Sequence, residues 1–132
     1  MLRFALRYSA GIFALGFVLG IVRTLFLAPR FGALVAVACE LPFMLAASWF
    51  WARRLLRSYP SGSQRQALAT GATAFMLLIA SEAALAFIAY NPTPREWLAS
   101  LMTPEGRLGL AGQVLFAVIP ALAWRASVAV SK

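Results

Sequence analysis

Four apolar runs, each long enough to cross a lipid bilayer, constrain this chain more than any other feature. They cover residues 4–27, 31–52, 67–90 and 107–125. The hydrocarbon layer of a membrane is about 30 Å thick, and a helix needs about 20 mainly apolar residues to cross it. Because backbone polar groups in lipid must pair within their own segment, each run is expected to form an α-helix.

The composition excludes an ordinary soluble domain. Of the 132 residues, 62% are hydrophobic and 12% are charged, with a mean hydropathy of +0.81. Soluble domains have about 45–50% apolar and about 25% charged residues, and a chain this short cannot bury so large an apolar excess. The sequence therefore predicts an all-α integral membrane protein, a single four-helix transmembrane bundle over residues 1–132.

The first run differs from the others because it contains Arg7 and Arg23. A basic start followed by an apolar stretch is also typical of a cleaved signal peptide. No small-residue cleavage pattern follows Arg23, however, and apolar residues resume after it. Since a long Arg side chain near a helix end can reach the headgroups, we favour a retained span. We expect a tight turn at residues 28–30 to join it to the second span.

Basic residues are distributed unequally between the two ends of the predicted bundle. Eight of the twelve Lys and Arg residues lie on the side of the chain termini and three on the other side, with Arg23 inside a span. The positive-inside rule then places both termini in the cytoplasm (N-in/C-in). Arginine in place of lysine is typical of a GC-rich bacterial genome, so we expect the bacterial inner membrane. The cluster Arg53, Arg54 and Arg57 is expected to bind lipid headgroups, which makes the bilayer the predicted partner and argues against nucleic acid.

The longest connection, residues 91–107, contains three prolines. Within it, residues 94–102 can form a short interfacial helix, because Thr93 can cap it and Pro94 suits its first position. Trp97, Leu98 and Leu101 would then enter the membrane surface. The alternative is an irregular, solvated loop.

Each predicted span contains one strongly polar residue on the side away from the termini: Arg23, Glu40, Glu82 and Gln113. They lie about 6 to 13 Å inward from the ends of their helices, at a rise of about 1.5 Å per residue. In one interpretation they line a site in which the two carboxylates share a proton. In the other, Arg23 pairs with Glu40 or Glu82 and the cluster only holds the helices together.

Gly16 and Gly20 form a G-x-x-x-G step, and small residues at this spacing allow another helix to approach closely. That helix belongs either to the same chain or to another one, so a larger membrane complex or a homo-oligomer is a candidate partner. The sequence has no His and no Asp, and Cys39 is its single cysteine. We therefore expect no metal, no cofactor, no catalytic residues and no enzyme activity.

Two functions remain open from the sequence. The first is a non-catalytic accessory or interaction subunit, supported by the small size, the glycine step and the missing catalytic groups. The alternative is a small proton-coupled transporter or channel that uses Glu40 and Glu82.

Overall fold

The computed structural model describes residues 2–132, which contain helices and no strands. Met1, the first residue of the predicted domain, lies outside the described residues. The helices are α1 (Leu2–Val22), a π-helical segment (Arg23–Leu27), α2 (Ala28–Phe31), α3 (Ala33–Ser58), α4 (Gln64–Tyr90), α5 (Pro94–Leu101) and α6 (Pro104–Val130).

Four helical stretches are long and apolar enough to span a membrane: Leu2–Phe31, Ala33–Ser58, Gln64–Tyr90 and Pro104–Val130. Large apolar side chains on them point outward rather than into the protein. Ile88 is 84% exposed, and Phe43 and Phe50 are each 70% exposed. Exposure of so many apolar side chains to water would be unfavourable, whereas their exposure to lipid would not be. Four such helices are compatible with a small multi-pass membrane protein.

The four long helices alternate in direction and form a ring in which α1 and α6 each pack against α3 and α4. The pairs α1–α6 and α3–α4 consequently lie on the diagonals. We call the end with Leu2, the α3–α4 connection and Val130 the termini end, and the end with Gly32 and α5 the α5 end. At the termini end, the Trp124 indole N–H donates to the Ser61 carbonyl oxygen at 2.9 Å, which ties the α3–α4 connection to α6.

The turn between the first two spans is not where the sequence predicted it. Residues 28–30 are helical, and the chain reverses at Gly32, whose φ of 85° favours glycine. A proline within an α-helix would clash with the preceding turn. Just before Pro29, the helix widens to the π-helical segment, where the Ala28 N–H donates to the Arg23 carbonyl oxygen. The helix therefore continues past Pro29 to Phe31.

Helix α5 begins at Pro94 and ends at Leu101, within the predicted range 94–102. Thr93 and Glu96 form a capping box: the Thr93 Oγ1 accepts from the Glu96 N–H and the Glu96 carboxylate accepts from the Thr93 N–H. The half-buried Trp97 lies with its ring centre 6.4 Å from that of Phe87 on α4. This contact holds α5 against the bundle.

The core lies at the termini end. The Tyr8 ring stacks on Phe116 with centroids 4.3 Å apart, which joins the diagonal helices α1 and α6. The Tyr8 hydroxyl donates to the Phe116 carbonyl oxygen at 2.9 Å. That carbonyl lacks its usual helical partner, because residue 120 is proline and has no N–H. Tyr8 thus satisfies the backbone group that Pro120 leaves free.

Helices α4 and α6 approach each other closely at Gly71. A Cβ atom at this position would overlap the Ala117 carbonyl oxygen. Gly109, also in α6, has open space around it, with nothing within 4 Å of where its Cβ would lie. The two glycines therefore differ in what a methyl group would meet.

We expect Gly71→Ala to lower the free energy of unfolding in detergent by about 1–3 kcal/mol, the usual cost of overpacking a core. Gly109→Ala, the matched control, should be neutral or stabilising by up to about 1 kcal/mol because alanine favours helix. Equal effects of the two substitutions would show that α4 and α6 do not pack as described.

Candidate functional site

A cavity of about 470 Å³ lies at the α5 end of the bundle, where the core packing stops. Helices α1, α3, α4, α6 and the π-helical segment all contribute to its wall. All four polar residues that the sequence placed inside the spans line it: Arg23, Glu40, Glu82 and Gln113. The volume falls in the range of about 300–1,000 Å³ that is usual for small-molecule sites.

Arg23 and Glu40 form one pair of the cavity wall. An Arg23 Nη1 hydrogen donates to Glu40 Oε2 at 2.9 Å. The side chains are 35% and 12% exposed, so the pair is only partly shielded. Arg23 is the first residue of the π-helical segment, which brings its side chain to α3 across the Gly32 turn. Widened turns of this kind often occur at functional sites.

Glu82 and Gln113 form the second pair, between α4 and α6. The Gln113 Nε2 amide donates to Glu82 Oε2 at 2.6 Å. The other amide atom, Gln113 Oε1, is buried and has no hydrogen-bond partner within residues 2–132. A buried acceptor without a partner costs about 1–3 kcal/mol, so a group that donates a hydrogen bond to Gln113 Oε1 would be stabilised there.

The two pairs together contain one cationic side chain and two carboxyl groups. No hydrogen bond connects one pair to the other in the described part of the chain. With both carboxylates ionised, Arg23, Glu40 and Glu82 together carry one net negative charge. Glu82 therefore lines the cavity with an amide partner but without a cation at hydrogen-bond distance.

Much of the remaining wall is apolar. Aromatic side chains come from α1 (Phe13 and Phe17) and α6 (Phe116), and Leu85 comes from α4. An apolar surface with a few convergent polar groups is the usual arrangement of a small-molecule site.

The other residues singled out from the sequence have different positions. Gly16 and Gly20 line the cavity. A Cβ on Gly20 would have only the Arg23 guanidinium near it, at 3.8 Å, while one on Gly16 would meet Met44 Cε at 3.2 Å. No atom of another helix lies within 4 Å of that Gly20 Cβ position in the described residues. Arg53, Arg54 and Arg57 are exposed at the termini end, away from the cavity.

Sequence reasoning missed three positions that shape the bundle. Tyr8 is fully buried, and Gly71 lies at the α4–α6 contact. Gly112 is the third, because a Cβ there would overlap the Leu41 side chain of α3. Neither the tyrosine nor the two glycines indicate from the sequence which helix they contact, so only the structure identifies these contacts.

Comparisons of the chain with protein-family models, with curated proteins and with solved structures give no match. Within residues 2–132, no three His, Cys, Asp or Glu side chains come together as a metal site.

The Arg23–Glu40 contact leads to a double-mutant prediction. Arg23→Ala should lower the free energy of unfolding in detergent by about 1–3 kcal/mol, because it leaves the Glu40 carboxylate without its partner. Adding Glu40→Gln should restore part of this loss, since the neutral amide no longer needs a cation.

The matched control is Arg30→Ala, which removes an exposed arginine of the same span. It should change the free energy of unfolding by less than about 0.5 kcal/mol. Strictly additive losses for Arg23→Ala and Glu40→Gln would show that the two side chains are energetically independent.

Proposed function

We propose that this protein is a small, non-enzymatic membrane transporter that binds a small ligand in its polar cavity and exchanges it for protons. The observation that carries this proposal is that the polar residues of four separate spans converge on one cavity. We also propose that both termini are cytoplasmic, in a bacterial inner membrane, so that the cavity faces the outer side.

The position of the polar cluster favours a binding role over a purely structural one. Each ionisable residue within a span costs at least about 2.5–3.5 kcal/mol on insertion scales. A cluster that only joined helices would be expected to lie in a packed contact. Here Tyr8 packs on Phe116 on the termini side of the cluster, whereas the four polar side chains themselves line the cavity. The cavity wall therefore retains polar groups where they contribute little to packing.

Glu82 is the residue best suited to exchange a proton for a ligand. The other residues of the cavity wall with polar or charged side chains are Arg23, Thr24, Glu40, Ser48, Tyr90 and Gln113. Arg23 is hydrogen-bonded to Glu40, and Gln113 is neutral. A carboxylate held away from water needs either a proton or a cation to balance its charge. Replacement of one by the other would couple ligand binding to proton release.

Transport would require the termini end to open, because it is closed by the Tyr8–Phe116 contact. The long helices contain backbone features that permit bending: the π-helical segment, Pro42 in α3 and Pro120 in α6. Kinks in helices usually occur at such positions. Bending of the helices at these positions would open and close the termini end.

Isothermal titration calorimetry in detergent tests the binding step with benzylammonium, benzyl alcohol and benzoate. These compounds share an apolar body and differ in charge. At least one should bind at one molecule per chain. Gly109→Phe should abolish binding without lowering the thermal midpoint, because its side chain enters the cavity from a position with open space.

Ala111→Phe is the matched control, since Ala111 is an exposed residue of the same helix. It should leave binding unchanged. Failure of all three compounds to bind the unaltered protein, or equal binding to the Gly109→Phe variant, would contradict the proposal.

An accessory subunit is the second candidate function. The observation that favours it is the room beside Gly20 and Gly109, where no atom of another helix lies within 4 Å of the Cβ position in the described chain. A helix of a larger membrane complex, or of a second copy, would then fill the cavity. A stoichiometric partner in native mass spectrometry, together with failure of all three benzyl compounds, would favour this function.

A further inference from the structure

We infer that the cavity is built for a primary or secondary ammonium group attached to an apolar body. This inference rests on the proposed function and specifies the ligand of that same cavity. It follows from three properties of the wall, namely its unused acceptors, its net charge and its apolar area.

The cavity wall has hydrogen-bond acceptors that no group of the described chain satisfies. Gln113 Oε1 is buried and unpartnered within residues 2–132. Its orientation is fixed by the second amide atom, because Nε2 donates to the Glu82 carboxylate. The Oε1 atoms of Glu40 and Glu82 accept no hydrogen bond in the described chain, since each glutamate uses Oε2. An occupant that donates several hydrogen bonds would satisfy these atoms.

The charge of the wall selects a cation. The Arg23 charge is offset by Glu40, to which it is bonded at 2.9 Å, and Glu82 contributes a further negative charge. An anion would meet two carboxylates in a partly shielded site, where repulsion is stronger than in bulk water. A monovalent cation would bring the cluster to neutrality.

The apolar part of the wall excludes a bare metal ion as the best occupant. Calcium takes six to eight oxygen ligands and magnesium six, whereas one oxygen of each carboxylate in this cavity is already bonded to Arg23 or Gln113. Phe13, Phe17 and Phe116 provide apolar surface that a small inorganic ion would leave uncovered. An organic ammonium ion uses both parts of the wall, because its body covers the rings and its N–H groups reach the acceptors.

A comparison of ammonium ions with and without N–H groups distinguishes hydrogen bonding to the wall from attraction by charge alone. A quaternary ammonium ion has the same charge but no N–H group, so it cannot satisfy Gln113 Oε1. One charge-assisted hydrogen bond strengthens binding by a factor of about ten or more. Loss of one such bond should therefore weaken binding about tenfold or more.

The test is a calorimetric titration of the unaltered protein in detergent with benzylammonium, benzyltrimethylammonium, benzyl alcohol and benzoate. Benzylammonium should bind about tenfold or more tightly than the quaternary ion, and more tightly than the other two. Titration in buffers of different ionisation heat should show release of up to one proton per ligand. Affinity for benzylammonium should fall as the pH is lowered, because protons compete with the cation for Glu82.

Two variants connect the selectivity to the named atoms. Gln113→Leu should reduce the ratio of affinities between benzylammonium and the quaternary ion towards one. Glu82→Gln should weaken both cations about tenfold and abolish proton release, while the control Glu105→Gln, outside the cavity, should do neither.

The outcomes separate this inference from the proposed function. Tightest binding of benzoate or benzyl alcohol would overturn the ammonium assignment but leave the ligand-binding cavity in place. Equal binding of the two cations, or an unchanged ratio in a folded Gln113→Leu variant, would also overturn it. If none of the four compounds binds, both proposals fail. The comparison of four compounds on the unaltered chain decides the matter even if a variant does not fold.

Discussion

Close packing at the termini end is the constraint on which the rest of the structure depends. Tyr8 joins the diagonal helices α1 and α6 by stacking on Phe116 and by donating to the carbonyl that Pro120 leaves unpaired. Trp51 adds a second connection, because its indole N–H donates to the Arg7 carbonyl oxygen at 3.0 Å. With the helices held together at this end, the other end can remain open without loss of the bundle. The cavity is a consequence of that unequal packing.

The open end contains the polar groups whose burial costs most. An unpaired charge within a membrane-spanning bundle costs several kcal/mol. Removal of one partner of an ion pair leaves the other charge unpaired at that cost. Arg23 and Glu40 offset each other, whereas Glu82 has only the Gln113 amide. The unpartnered Gln113 Oε1 adds a further unfavourable contribution. Binding of a ligand or of a proton would lower this unfavourable free energy, because each would supply a hydrogen-bond donor to the unpaired groups.

The helical architecture could be predicted from the sequence, because four long apolar runs in one short chain leave few alternatives. The closeness of Arg23 and Glu40 could also be anticipated, since a short turn joins their helices. The diagonal placement of α3 and α4 could not, because it depends on where glycines such as Gly71 permit close approach. The widened helix before Pro29 was missed for a similar reason. Proline predicts a break in an α-helix, but the local backbone can absorb it.

The central claim is that the polar residues line a water-accessible cavity that opens at the α5 end only. Cysteine labelling tests this most directly, in a Cys39→Ala background in sealed vesicles. Gly109→Cys, in the cavity wall, should react with a membrane-impermeant maleimide from the side of α5. Leu115→Cys, an exposed position of the same helix, should not react because lipid covers it. Equal protection of both cysteines, or reaction of Gly109→Cys only from the termini side, would contradict the account.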